Sequence, residues 1–114
     1  SELVVIKHKD KVIAGILLTL SGQTSVHEWY VCGKDEAYKD LNIYPSVMAT
    51  WAGIEYMIEN DFEYFDFMGA GRPHIPYGVR EFKERFGGEL IDVMRYTHFP
   101  PNIYSNIFQK FNFI

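Results

Sequence analysis

Residues 11–20 read K-V-I-A-G-I-L-L-T-L, and this stretch decides the fold. Its apolar residues run on instead of alternating. That pattern predicts a strand covered on both faces. Gly15 inside it marks a bulge or a close backbone approach. The apolar run from Val12 to Leu20 is nine residues long and is broken by Gly15 and Thr19. A membrane helix needs about 20 apolar residues, so this is not one.

Working outward, residues 3–7 (L-V-V-I-K) are short, apolar and β-branched, and predict a strand. The polar residues 8–11 between the two runs predict a turn. On the other side, S-G-Q at 21–23 predicts a second turn. Residues 24–31 then alternate Val26, Glu28 and Tyr30 against His27, Trp29 and Val31, which predicts a third strand. Three such strands in succession form a meander. On this reading His27-Glu28-Trp29-Tyr30 belongs to the sheet surface.

Residues 33–42 are polar and predict a loop. Pro45 suits the first turn of a helix, where its missing N–H costs nothing. Val47, Trp51, Ile54 and Ile58 follow as a core-facing stripe, and Asn60 can end the helix. Residues 64–68 are apolar apart from Asp66 and predict a buried strand, which Gly69-Ala-Gly-Arg72-Pro73 breaks. A second helix is predicted over 77–86, with Val79, Phe82, Lys83 and Phe86 on one stripe and Gly87-Gly88 as its stop. Residues 89–98 predict a last strand, Pro100-Pro101 its end, and the aromatic tail a short helix. The order β-β-β-α-β-α-β predicts an α/β fold with a mixed, mostly antiparallel sheet flanked by helices.

The whole chain has 114 residues, 47% of them hydrophobic and 17% aromatic, enough to bury a core and to exclude disorder. All nine Phe lie between Phe62 and Phe113, so the front is β-rich and the back mixed. The net charge of −4 argues against a dedicated nucleic-acid binder. A single cysteine, Cys32, excludes an internal disulfide and a cysteine-based zinc site. It suits a reducing, cytoplasmic setting and reads as a small buried apolar residue. The chain opens on Ser rather than Met and without a signal peptide, which suggests a trimmed sequence.

Lys83 is the most unusual residue, because it interrupts an apolar helical stripe between Phe82 and Phe86. Such a lysine must snorkel, pair with a carboxylate, or line a cavity. Two readings stay open: a stem packed on the core with its ammonium in water, or a cation at a pocket wall. The second could stabilise negative charge developing on a carbonyl oxygen. Asp66 is the candidate partner, since a mid-strand carboxylate needs one. Residues 69–78 link a strand to a helix, where α/β folds bind ligands. Arg72, Arg80, Lys83, Arg85 and Arg95 put five of the eleven basic residues within 24 positions, suited to a phosphate or carboxylate. The spacing matches neither the phosphate-loop nor the dinucleotide glycine pattern, so a turn built from flexible and rigid residues is the alternative. His8, His27, His74 and His98 lack metal-ligand spacing, so no metal site is expected. There is no G-x-S-x-G elbow for a serine hydrolase.

Val12-Ile-Ala-Gly15-Ile-Leu-Leu, Trp51-Ala-Gly-Ile-Glu-Tyr, Phe65-Asp66-Phe67-Met-Gly69 and, above all, Gly78-Val-Arg-Glu-Phe82-Lys83-Glu-Arg-Phe86-Gly87-Gly88-Glu89 resemble the back portion of a GNAT-type acyltransferase. More narrowly they resemble the Fem-type branch, the peptidoglycan-bridge aminoacyltransferases and their acetyltransferase-like relatives. The resemblance covers roughly residues 3–100. It implies that residues 1–114 are one partial domain whose first strand and helices precede Ser1. It implies transfer of an aminoacyl group from aminoacyl-tRNA to an amine of a peptidoglycan precursor, or of an acyl group from acyl-CoA to another amine. No cofactor or metal is required. Lys83 and Phe82 match the family's Phe-Lys pair at the acyl-transfer channel and would be catalytic; Arg72, Tyr77, Arg80 and Asp66 would bind substrate. Acetyl-CoA-using members carry Q/R-x-x-G-x-G/A before the helix, and residues 35–46 contain no glycine. Binding of coenzyme A in the usual way is therefore not expected. The alternatives are a degenerate binding module, dimerising to complete its sheet, and an acetyl-CoA-dependent N-acetyltransferase.

Overall fold

A computed structural model describes residues 1–93. Four strands form one sheet in the order β1-β2-β3-β4: β1 Glu2–His8, β2 Lys11–Ser21, β3 Ser25–Gly33 and β4 Tyr64–Asp66. The first three pair antiparallel and β4 joins β3 in parallel. The helices are α1 Asp35–Tyr38, α2 Pro45–Glu59 and α3 Gly78–Glu84. This is the expected mixed α/β architecture.

Two tight turns set the meander. Lys9 and Asp10 both take positive φ, 50° and 64°, which matches the twist of a two-residue hairpin. Gly22, at φ 58°, closes the second turn. β3 carries a bulge: Leu17 pairs with Tyr30 while Leu18 pairs with Glu28, so Trp29 is the extra residue.

One sheet face is dry. Ala14, Ile16, Leu18 and Val26 are fully buried there, with Ala49 of α2 packed on them. The opposite face is open. Leu3 and Tyr30 are 67% and 70% exposed, so β2 is covered fully on one side only, contrary to the expectation from its unbroken apolar run. Cys32 lies on the same open face in register with Gly15 and is exposed, not buried.

Other expectations need correction. Residues 35–41 are not loop but the short α1 and a 3-10 turn, Lys39–Leu41. Helix α2 does not bury Val47, Trp51 and Ile58, all of which are exposed. It buries Pro45, Ala49, Thr50 and Gly53. The cause is close approach: a Cβ on Gly53 would stand 2.9 Å from Ile16 Cδ1 and 3.1 Å from Phe65 Cε2. Small residues let the helix axis sit near the sheet, and the larger side chains move to its flanks. Residues 89–93 form no strand. The rest of the expected last strand, Arg95, His98, Pro100-Pro101 and the tail helix lie outside the described residues. Among the described residues no helix is long and apolar enough to cross a membrane.

Candidate functional site

Strands β3 and β4 pair over three residues only, ending at His27 opposite Asp66. Beyond that point β3 continues through its bulge to Gly33, while β4 stops. The end of a parallel strand pair is where α/β folds present ligand sites. Lys83 reaches this point from α3.

The Lys83 ammonium donates hydrogen bonds to the carbonyls of Phe67 and Gly69, the latter at 2.8 Å. Glu28 Oε1 stands 4.0 Å away, an ion pair rather than a hydrogen bond. An ammonium has three donors. Two are placed on carbonyls, and the third is not hydrogen-bonded to any described residue. The ammonium does not snorkel, since only 14% of the side chain is exposed. Its partner is Glu28 rather than Asp66.

Glu28 is the residue that sequence reasoning missed. Assigned to the sheet surface, it is in fact buried. It faces inward beside Leu18, and the following bulge lets Trp29 and Tyr30 stay outside. Its Oε2 and the Thr50 hydroxyl are both buried without a well-formed hydrogen bond. Burial pushes the Glu28 carboxyl above its ordinary value, and the Lys83 charge and nearby Thr50 hydroxyl only partly oppose this. Its signal in the sequence was a lone carboxylate on the inward phase of the strand, with Val26.

Aromatic rings keep the Lys83 end of the sheet apolar. Phe67 packs edge-on against Phe65 at 5.0 Å and near Phe86 at 5.9 Å. Phe82 meets Phe86 at 5.2 Å. Phe82 is thus part of the ring cluster beside Lys83, while Val79 on the same expected stripe is exposed.

The other expected site residues lie elsewhere. Arg80 organises the loop before its helix: Nε donates to Ala70 O at 2.9 Å, and Nη2 to Arg72 O at 2.7 Å and Ile75 O at 2.9 Å. Tyr77 lays its ring over Gly71, where a Cβ would come within 2.7 Å of Cδ1. Arg72 is exposed on that loop. None of the three touches the Lys83 ammonium among the described residues. Asp66 lies on the open sheet face, accepting from the Met68 N–H at 2.7 Å and bonded to His27 Nδ1 at 3.2 Å.

The N-terminus of α2 already holds an anion. Asp35 accepts the Ser46 N–H at 2.9 Å through Oδ1 and the Ser46 hydroxyl through Oδ2. A carboxylate from α1 therefore occupies the place where that helix end would receive a phosphate. Among the described residues no three His, Cys, Asp or Glu side chains gather as metal ligands.

The family model described as an acetyltransferase (GNAT) domain matches residues 1–84. Comparison with curated proteins and with solved structures finds no match.

Proposed function

Because this chain belongs to the GNAT acetyltransferase domain family, which carries acyl groups from a donor to an amine, we propose that it is an N-acyltransferase of the Fem type centred on Lys83. An amine attacks an ester carbonyl, and the carbonyl oxygen becomes an oxyanion. The third Lys83 N–H and the ammonium charge offset that developing negative charge. The observation that carries the reading is the ammonium itself, held on two carbonyls at the end of β4 with one donor uncommitted among the described residues. Phe82 and Phe86 line the same point and keep the local dielectric low, which strengthens the interaction. Arg72, Tyr77 and Arg80 hold the neighbouring loop as a substrate wall, and Asp66 serves the open side of the strand pair.

An aminoacyl ester, as on aminoacyl-tRNA, is the favoured donor. Asp35 at the head of α2 supports this choice over the pyrophosphate of acyl-CoA, which it would repel. The acceptor is an amine, in this reading one of a peptidoglycan-bridge precursor, and the setting is cytoplasmic. No cofactor or metal takes part. A second reading, a non-catalytic module that dimerises, is favoured by the open sheet face around Leu3 and Tyr30.

The test is Lys83→Met, which keeps the stem and removes the charge. Transfer from an aminoacyl ester to a lysine amine should fall about 10²–10³-fold with the fold intact by circular dichroism. Unchanged transfer would exclude the role of Lys83. A dimer with no transfer in the parent chain would favour the second reading.

A further inference from the structure

Among the described residues, Glu28 is the only buried charged side chain, 5% exposed and in register with Leu18. Its Oε2 and the Thr50 hydroxyl, which is fully buried, each lack a well-formed hydrogen bond. A buried ion pair gives little stability that well-packed apolar side chains would not give as well. Packing therefore supplies no reason for a carboxylate at this place, beside the lysine held at the end of β4.

The separation of the pair supplies one. A carboxylate that hydrogen-bonds an ammonium sits about 2.7–2.9 Å from it. Glu28 Oε1 stands 4.0 Å from Lys83 Nζ. At that distance the charges still attract, but no N–H is spent on the carboxylate. The carbonyls of Phe67 and Gly69 take two donors and carry no net charge. They hold the ammonium in place without balancing it. Water does little to balance it, since only 14% of the Lys83 side chain is exposed. Burial favours the neutral form of a lysine, and a nearby carboxylate favours the ammonium. The difference matters doubly here. A neutral amine has two N–H groups, and both would be committed to the carbonyls. Losing the proton would thus remove the charge and the free donor together.

The groups facing the ammonium are few. From β3 there is Glu28, and from the chain after β4 the two carbonyls. From α2 there is Thr50, beside Glu28, whose hydroxyl does not titrate. On α3 itself, Glu81 and Glu84 make no ion pair with Lys83, and Asp66 is bonded to His27 on the other face. Among the described residues no other carboxylate lies within 4.0 Å of Nζ.

We propose that Glu28 is a positioning residue for acyl transfer: standing just beyond hydrogen-bond distance, it keeps Lys83 an ammonium in its buried place while leaving the third N–H for the oxyanion. The proposal rests on the acyltransferase reading above. Glu28 touches neither donor nor acceptor and acts only through Lys83. Thr50 stands at the far oxygen of the carboxylate, on the α2 side of the pair.

The test uses the full chain, an alanyl ester of adenosine as donor and a lysine amide as acceptor. Transfer by Glu28→Gln, which keeps the shape and removes the charge, is divided by transfer by the parent at each pH. The ratio cancels the pH dependence of donor and acceptor. It should fall about 10-fold or more between about pH 6 and about pH 9, because the variant loses its ammonium first. Glu28→Asp keeps the charge, and its ratio to the parent should stay flat. A flat ratio for Glu28→Gln, or an equal fall for Glu28→Asp, would make Glu28 merely structural and overturn the proposal, leaving the role of Lys83 untouched. Nitrogen-15 spectra of the Lys83 side chain, recorded without substrate, give a readout independent of transfer. The ammonium signal should persist to higher pH in the parent than in Glu28→Gln, and its loss at the same pH in both would overturn the proposal. A parent chain without transfer defeats the acyltransferase reading instead, and the spectra still decide whether Glu28 sustains the ammonium.

Discussion

The two faces of the sheet come from the same strands and have opposite characters. The inner face is closed by α2 through Ala49, Thr50 and Gly53, and its side chains are dry. The outer face carries Leu3, Val5, Tyr30 and Cys32 beside the polar row Thr19, His27 and Asp66. Within β3 the contrast falls between consecutive residues. His27 meets solvent and a carboxylate; Glu28 meets a buried ammonium. Burial, more than residue type, decides what each group can do. The half-buried imidazole has a carboxylate and solvent as neighbours, whereas the buried carboxylate has the ammonium as its counter-charge.

The comparison can be broken most directly in the packing. Ile16 is fully buried on the inner face, and Ile16→Ala should cost about 4 kcal/mol. Leu3→Ala on the outer face should change stability by no more than about 0.5 kcal/mol. Denaturant unfolding of the two variants measures both, and equal costs would show that the faces do not differ as described.

Next in size is the buried pair. Glu28→Ala leaves the Lys83 ammonium with its two carbonyls and no counter-charge. A loss of about 3 kcal/mol is expected, the lower end for breaking a buried pair, because those carbonyls remain. Glu28→Gln should lose less, since it keeps the shape. A Glu28→Ala variant as stable as the parent would remove the pair from the account of the fold.

The smallest effect is on pH dependence. Burial raises the folded Glu28 value above its ordinary 4.5, so the folded chain binds this proton more tightly than the unfolded one. Its contribution to stability is present below about 4.5 and is lost as pH rises through the folded value. The parent should therefore gain stability relative to Glu28→Gln as the pH is lowered through that window. Parallel curves for the two proteins would contradict the raised value.

The meander, the start of α2 at Pro45 and the parallel strand at Tyr64 were legible in the sequence, because β-branched runs and proline act locally. The inner face of α2 was not. Hydrophobic spacing picked out Val47, Trp51 and Ile58, but contact with the sheet is made by residues with almost no side chain. Gly53 carries no apolar signal, although its missing Cβ permits the approach. Lys83 stood out because it breaks an apolar stripe. Its partner did not, since whether Asp66 or Glu28 meets it depends on strand register and facing, which single-sequence patterns do not contain. His27 was read as sheet surface without metal spacing, and its link to Asp66 was not legible because it spans 39 positions of chain.

The extra residue Trp29 shifts the phase of β3 halfway along its length. Before it, even-numbered positions face α2; after it, odd-numbered ones do, as Val31 in register with Ile16 shows. The strand thus runs in two reading frames, one ending in the Glu28 charge and one resuming the apolar core. Deleting that single residue would merge the frames into one unbroken alternation, with Glu28 and Val31 still inward and Tyr30 and Cys32 still outward. Pairing Trp29 into the ladder instead would turn Tyr30 and Cys32 toward the helix and Val31 toward water, so the bulge is what keeps the second half of the strand in phase with the core.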